Sequence, residues 1–193
     1  ATGVLTVNAL PAAPTITAGG PTTLCDGESV VLTSSEATNN VWSNAETTQA
    51  ITVSTAGSYT VEYTDGNGCK ATSAATTVTV NALPVAAVNS ETICAGDPAV
   101  TFIATSATAV GWSWSENGTG TLQNTSGTIA GNYTVVVTDA NGCESAPATG
   151  VLTVNALPAA PTITAGGPTT LCDGESVVLT SSEATNNVWS NAE

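Results

Sequence analysis

The sequence of 193 residues contains no histidine, methionine or arginine, and Lys70 is its only basic residue. Lacking histidine, it lacks the usual side chain for proton transfer near neutral pH and the commonest metal ligand. The scattered carboxylates supply no nucleophile, acid or base with a positioned partner, so neither a catalytic residue nor a cofactor is expected. The scarcity of basic side chains also excludes nucleic acids and anionic membranes as partners, since both are held through Lys and Arg. The formal net charge of -14 would repel them. No apolar run approaches the roughly 20 residues that span a bilayer, and no charged segment followed by an apolar one opens the chain. Membrane insertion by this segment is therefore not expected.

The chain does hold many Thr, Ser, Ala, Val, Gly and Asn residues, a composition that disfavours long amphipathic helices and points to an all-β protein. Its 5 cysteines form no Cys-x-x-Cys pair. They fit disulfides in an oxidising, extracellular compartment better than a zinc or redox site.

Self-similarity dominates the sequence. Residues 1–46 recur without a change at 148–193, an offset of 147 residues. The tetrapeptide Asn-Ala-Leu-Pro occurs at Asn8–Pro11, Asn81–Pro84 and Asn155–Pro158, giving successive units of 73 and 74 residues. The expected organisation is the last strand of a preceding unit at 1–8, one unit at 9–81, a second at 82–155 and the start of a third at 156–193. The segment reads as a window on a longer array. Pro in each tetrapeptide, with its extended preceding residue, makes a short stiff connection.

Within a unit, runs of Val, Ile, Thr and Tyr alternate with Gly, Asn, Asp and Pro clusters, the pattern of short antiparallel strands. Strands are expected near Thr15–Ala18, Ser29–Ser34, Asn40–Ser43, Ala50–Val53, Ser58–Thr64 and Ala75–Val80. Tyr59, Val61 and Tyr63 share one face, as Tyr133, Val135 and Val137 do in the second unit. The turns Asp65-Gly66-Asn67-Gly68 and Asp139-Ala140-Asn141-Gly142 supply the positive φ of a tight hairpin between the last two strands.

The run Ser-Val-Val-Leu-Thr-Ser at 29–34, Trp42 about ten residues on, and the segment Gly57–Cys69 resemble strands B, C and F of an immunoglobulin-like sandwich. The resemblance makes Trp42 and Trp114 core residues, with Tyr59 and Tyr133 at the tyrosine corner. More specifically, Val41–Cys69 and Gly131–Cys143 resemble the Ig-like or PKD-like repeats of secreted Bacteroidota surface proteins, the gliding and adhesion type exported by the type IX system. That resemblance implies tandem sandwiches at the cell surface or secreted, a structural or adhesive fibre and no enzymatic activity. Its partners would be other repeats of the same chain, neighbouring chains through lateral or end-to-end self-association, or, in the alternative reading, surface glycans bound weakly by a repeated module. The sequence departs from the family at Ser34 and Val61, where the core cystine would lie.

In that topology strands B and F run parallel, so Cys25, upstream of B, and Cys69, downstream of F, fall at opposite poles. The favoured pairing is then Cys25 with Cys143 of the next unit. Cys69 would pair with a preceding unit, and Cys94 and Cys172 with following ones. Intradomain pairs Cys25–Cys69 and Cys94–Cys143 stay open if the strand order differs.

Other residues carry weaker signals. Asp65, Asn67, Asp139 and Asn141 offer oxygens to Ca²⁺, but a full site needs six or more, and a structural turn is the simpler reading. Trp112 and Trp114, two apart on one strand face, read as core, an exposed Trp112 being the mark of a sugar-stacking platform. Glu28, Glu36, Glu62, Glu116 and Glu144 read as solvating charges. Asn117–Thr119, Asn124–Ser126 and Asn132–Thr134 match the glycosylation sequon, and turn chemistry accounts for the first two.

Overall fold

The structure is a computed structural model, and it describes residue 3 and residues 5–190. The described residues contain strands and no helix. They divide into two compact units, one made of Ala1–Glu91 with Pro98–Thr153 and the other of Thr92–Asp97 with Val154–Glu193.

The first part of the larger unit runs β1 (Ile16–Ala18), β2 (Thr23–Cys25), β3 (Val30–Ser34), β4 (Asn40–Trp42), β5 (Ala50–Val53), β6 (Gly57–Tyr59), β7 (Val61–Thr64), β8 (Lys70–Thr72) and β9 (Thr76–Asn81). One sheet is β1-β3-β5, all antiparallel. The opposing layer joins β2-β9-β6 to β4-β7-β8, because β6 and β7 are one chain direction broken only at Thr60. Ser73 explains why that break does not open a gap: its Oγ accepts the Val61 N–H at 3.0 Å and its own N–H donates to Val61 O. Leu24, Val30, Leu32, Trp42, Ile51, Val53, Tyr59, Val61 and Val78 meet between the layers as one buried cluster. The alternation in β3 puts Val30, Leu32 and Ser34 inside and Val31 and Thr33 outside.

A second set of strands follows, β10 (Ala87–Val88), β11 (Glu91–Cys94), β12 (Val100–Thr105), β13 (Ala109–Glu116), β14 (Asn124–Gly127), β15 (Gly131–Asp139) and β16 (Ala148–Asn155), all in the larger unit except residues 92–94 of β11 and 154–155 of β16. Strands β10-β12-β14 repeat the β1-β3-β5 sheet, and β13-β15-β16 repeat the layer opposite it. Phe102 stands where the first sandwich has Leu32 and stacks on Tyr133 with ring centroids 4.0 Å apart. This strand order, with Trp42 and Trp114 each on the fourth strand of their set and Tyr59 and Tyr133 each on the sixth, is that of an immunoglobulin-type sandwich.

In the smaller unit β17 (Ile163–Ala165) pairs with β18 (Leu179–Ser181) in the register Ile163↔Ser181, matching Ile16↔Ser34 in the identical upstream sequence. Leu179 there is 45% exposed, whereas Leu32, its counterpart, is 0% exposed. Identical residues make the same local pairing in both places.

Three expectations need correction. The hairpin turn at Asp65–Gly68 joins β7 to the short β8 rather than to the last strand, which follows as β9. Strand β2 was not expected, and it lies parallel to β9 with Thr23↔Thr79 and Cys25↔Asn81. Asn124–Ser126 lies in strand β14, not in a turn, whereas Asn117–Thr119 is in a turn closed by the Gly118 N–H donating to Ser115 O.

Candidate functional site

The aromatic residues fix the sandwiches from inside. Trp42 is 2% exposed and its Nε1 donates to Thr48 O at 2.9 Å. Trp114 repeats the bond to Leu122 O at 2.9 Å. The hydroxyls of Tyr59 and Tyr133 reach back to the carbonyl four residues upstream: Tyr59 to Thr55 O at 2.9 Å and Tyr133 to Ile129 O at 3.1 Å. These pairings satisfy the polar tips of large buried rings, which would otherwise lose hydration uncompensated.

Trp112 shares the inward strand face of Trp114 but is less deeply buried. It is half-buried, and its indole Nε1 is buried without a hydrogen-bond partner. The register explains the difference. Trp112 faces Val137 as Asn40 faces Tyr63, so it takes the place of Asn40. Asn40 is buried in a polar knot, accepting from Ser34 Oγ at 2.9 Å and donating to Glu36 O at 2.7 Å; the second sandwich has Ala104 in the position of Ser34 and Trp112 in that of Asn40, so it has no such knot.

The cysteines occupy two recurring settings. Cys25 ends β2, opposite Asn81 at the end of β9, where the first sandwich finishes. Its N–H donates to Glu28 Oε2 at 2.8 Å, and the Glu28 N–H donates back to Cys25 O. Cys94 has the same arrangement with Asp97 at 2.7 Å, and Cys172 with Glu175 at 2.9 Å. Cys69 and Cys143 close the other setting, the hairpin. Asp65 Oδ1 accepts from the N–H groups of Asn67 and Cys69, and Asp139 Oδ1 from those of Asn141 and Cys143. All five cysteine N–H groups are therefore held by a carboxylate within the same turn.

Cys25 and Cys143 form a disulfide with a Cα separation of 5.5 Å, tying the end of the first sandwich to the hairpin of the second. Cys143 is fully buried and Cys25 half-buried. Cys69, Cys94 and Cys172 form no disulfide among the described residues.

The acidic residues are less idle than isolated solvating charges. Glu28 closes the Cys25 turn, Glu62 pairs with Lys70, and Glu116 accepts from Thr134 Oγ at 2.8 Å. Asp65 and Asp139 spend their Oδ1 atoms on backbone N–H groups. The Cys143 N–H, followed by donors from Asn141 and Gly142, holds the Asp139 carboxyl below its ordinary value. Among the described residues no three or more Cys, Asp or Glu side chains come together as a metal site. What this arrangement does chemically is bridge: two rigid turns, each carrying one thiol, are brought to disulfide distance across a sandwich boundary.

No family model and no curated protein matches the sequence. Among solved structures the chain is similar to the fibronectin(III)-like modules of Clostridium thermocellum CbhA, at 15% identity and a TM-score of 0.38 over 73% of this chain and 94% of that one. It is similar to the N-terminal four Ig domains of Dscam1 isoform 7.44 at 15% identity and a TM-score of 0.32, covering 75% of this chain and 47% of that one. Drosophila OTK extracellular domains 3–5 give 15% identity and 0.30, over 84% of this chain and 72% of that one. The strand order, rather than these likenesses, establishes the sandwich.

Proposed function

We propose that this chain is part of an extracellular structural or adhesive fibre of end-to-end Ig-like domains, 9–81 and 82–155, with a further one starting at 156. The observation that carries the reading is the Cys25–Cys143 bond. A disulfide confined to one sandwich would stabilise only that sandwich, whereas one that crosses a boundary restrains bending and twisting between neighbours. That property serves a load-bearing spacer and has no use in catalysis.

The turns around Cys94 and Cys69 match those around Cys25 and Cys143. Each therefore staples to a neighbouring unit by the same geometry, Cys94 and Cys172 forward and Cys69 backward. Secretion fits a chain whose thiols are arranged for oxidation. The alternative, a glycan-binding array, needs exposed aromatic platforms; every aromatic residue among the described residues is buried or half-buried.

Non-reducing peptide mapping of the oxidised chain, with electron micrographs of the same material, tests the proposal. A linked Cys25/Cys143 peptide and extended particles that become flexible on reduction are expected. A linked Cys25/Cys69 peptide, or particles unchanged by reduction, would overturn it.

A further inference from the structure

The charge of this protein is not spread evenly over its surface. None of the 15 acidic residues falls in β1, β3, β5, β10, β12, β14, β17 or β18, the strands of one sheet in each sandwich and of the smaller unit, and Lys70 lies outside them too. The acids lie in the turns and in the opposite layer, as with Glu62 in β7, Glu91 in β11 and Glu116 in β13.

The outward face left uncharged is made of cross-strand pairs of β-branched and small side chains. In the first sandwich these are Thr17↔Thr33 and Val31↔Thr52. In the second they are Thr101↔Ser126 and Ile103↔Asn124. Val31 is 43% and Ile103 48% exposed, so branched apolar groups stand in solvent amid hydroxyls.

We infer that this uncharged sheet face is where a second copy of the chain docks, face to face, so that fibres associate laterally. The inference rests on the fibre reading above and assigns it a surface. Two chains at -14 each repel over most of their area; the neutral face is where they can approach with the least like-charge cost. A basic partner would be drawn to the acidic layer and turns instead. A second copy brings an identical neutral face, which makes a self-complementary two-fold contact.

The contact is weak one sandwich at a time. Three strands about 4.8 Å apart and about four residues long at ~3.3 Å each present roughly 190 Å². Two such faces fall well short of the ~1,200 Å² of a stable standard interface. Association therefore depends on repetition along the chain, each added sandwich raising the effective concentration of the next.

The test is sedimentation velocity of the whole oxidised chain from about 0.05 M to about 1 M NaCl, which shortens the screening length from over 10 Å to about 3 Å. Association that strengthens with salt is expected. The double substitution Thr52→Glu/Ile103→Glu weakens it by about tenfold or more, as does Thr17→Glu/Thr105→Glu, because each buries unpaired charge at the contact. Thr77→Glu/Thr153→Glu adds the same charge to exposed positions of the other sheet and leaves association unchanged. Tryptophan near-ultraviolet circular dichroism confirms that each variant is folded. A chain that stays monomeric at every salt concentration overturns the inference, as does equal weakening by the control pair. So does a monomeric chain retained by an insoluble uncharged polysaccharide. In any of these cases the linked Cys25/Cys143 peptide, read on the same sample, shows whether the fibre reading itself survives.

Discussion

Gly127 faces the hydroxyl end of Tyr133 so closely that any Cβ at position 127 would overlap it. In the first sandwich the corresponding residue is Val53, which pairs with Val30 as Gly127 pairs with Val100. The difference traces to Phe102, whose ring stacks on Tyr133 where Leu32 leaves room for a valine. Gly127→Ala should destabilise the second sandwich by about 1–3 kcal/mol, the cost of overpacking a filled core. Adding Phe102→Leu should recover part of that loss. Urea denaturation followed by tryptophan fluorescence measures both; an unchanged midpoint for Gly127→Ala would contradict the packing described here.

Removing the Cys25–Cys143 bond, by reductant or by Cys25→Ser, should lower stability by roughly 2–5 kcal/mol, as expected when a long loop is released in the unfolded chain. Neither sandwich core depends on it, so both retain their strand content. Denaturation with and without reductant, read by circular dichroism, checks the pair of expectations.

Asp139 is held below its ordinary pKa of 3.8, first by the Cys143 N–H. A carboxyl whose folded pKa lies below its unfolded one stabilises the fold above the unfolded value, and the contribution is lost as pH falls through the folded value. Acid unfolding should accordingly steepen below pH 3.8. Asp139→Asn, which keeps an oxygen to accept the same N–H groups, should flatten that limb and lower stability at neutral pH. A pH series of denaturation midpoints for the two proteins decides the matter.

The buried Asn40 knot is the first sandwich's polar core. Asn40→Ala removes the acceptor of the buried Ser34 O–H, which then keeps only the bond it accepts from the Glu36 N–H, and the donor to the Glu36 carbonyl, and should cost about 1–3 kcal/mol. The same measurement on Trp112→Ala reports lost packing alone, since Trp112 makes no hydrogen bond through its indole N–H.

Most of each sandwich was legible because its long strands alternate strictly. Tyr59 and Val61 against Thr60 and Glu62, or Val30 and Leu32 against Val31 and Thr33, announce an inside and an outside. Strand β2 was illegible for a physical reason: Thr23–Cys25 buries only Leu24 and becomes a strand because β9, far along the chain, offers it a parallel edge. Strand β8 buries almost nothing and is set by the turn before it. The part played by Glu28, Asp97 and Glu175 was also missed. The spacing was visible, as Cys-Asp-Gly-Glu at 25–28 and 172–175 and Cys-Ala-Gly-Asp at 94–97, but only the folded turn shows that the acid closes onto the cysteine N–H.

The cross-link also imposes an order in time. Cys25 and Cys143 are 118 residues apart, so when Cys25 and its turn emerge from a ribosome or an export channel, its partner has yet to appear. At about 5–20 residues per second the wait is several seconds or more, during which the first sandwich can close around Trp42 while its thiol stays reduced. The bond can therefore form only once the hairpin carrying Cys143 has appeared, after every strand of the first sandwich has emerged, so this cross-link closes late.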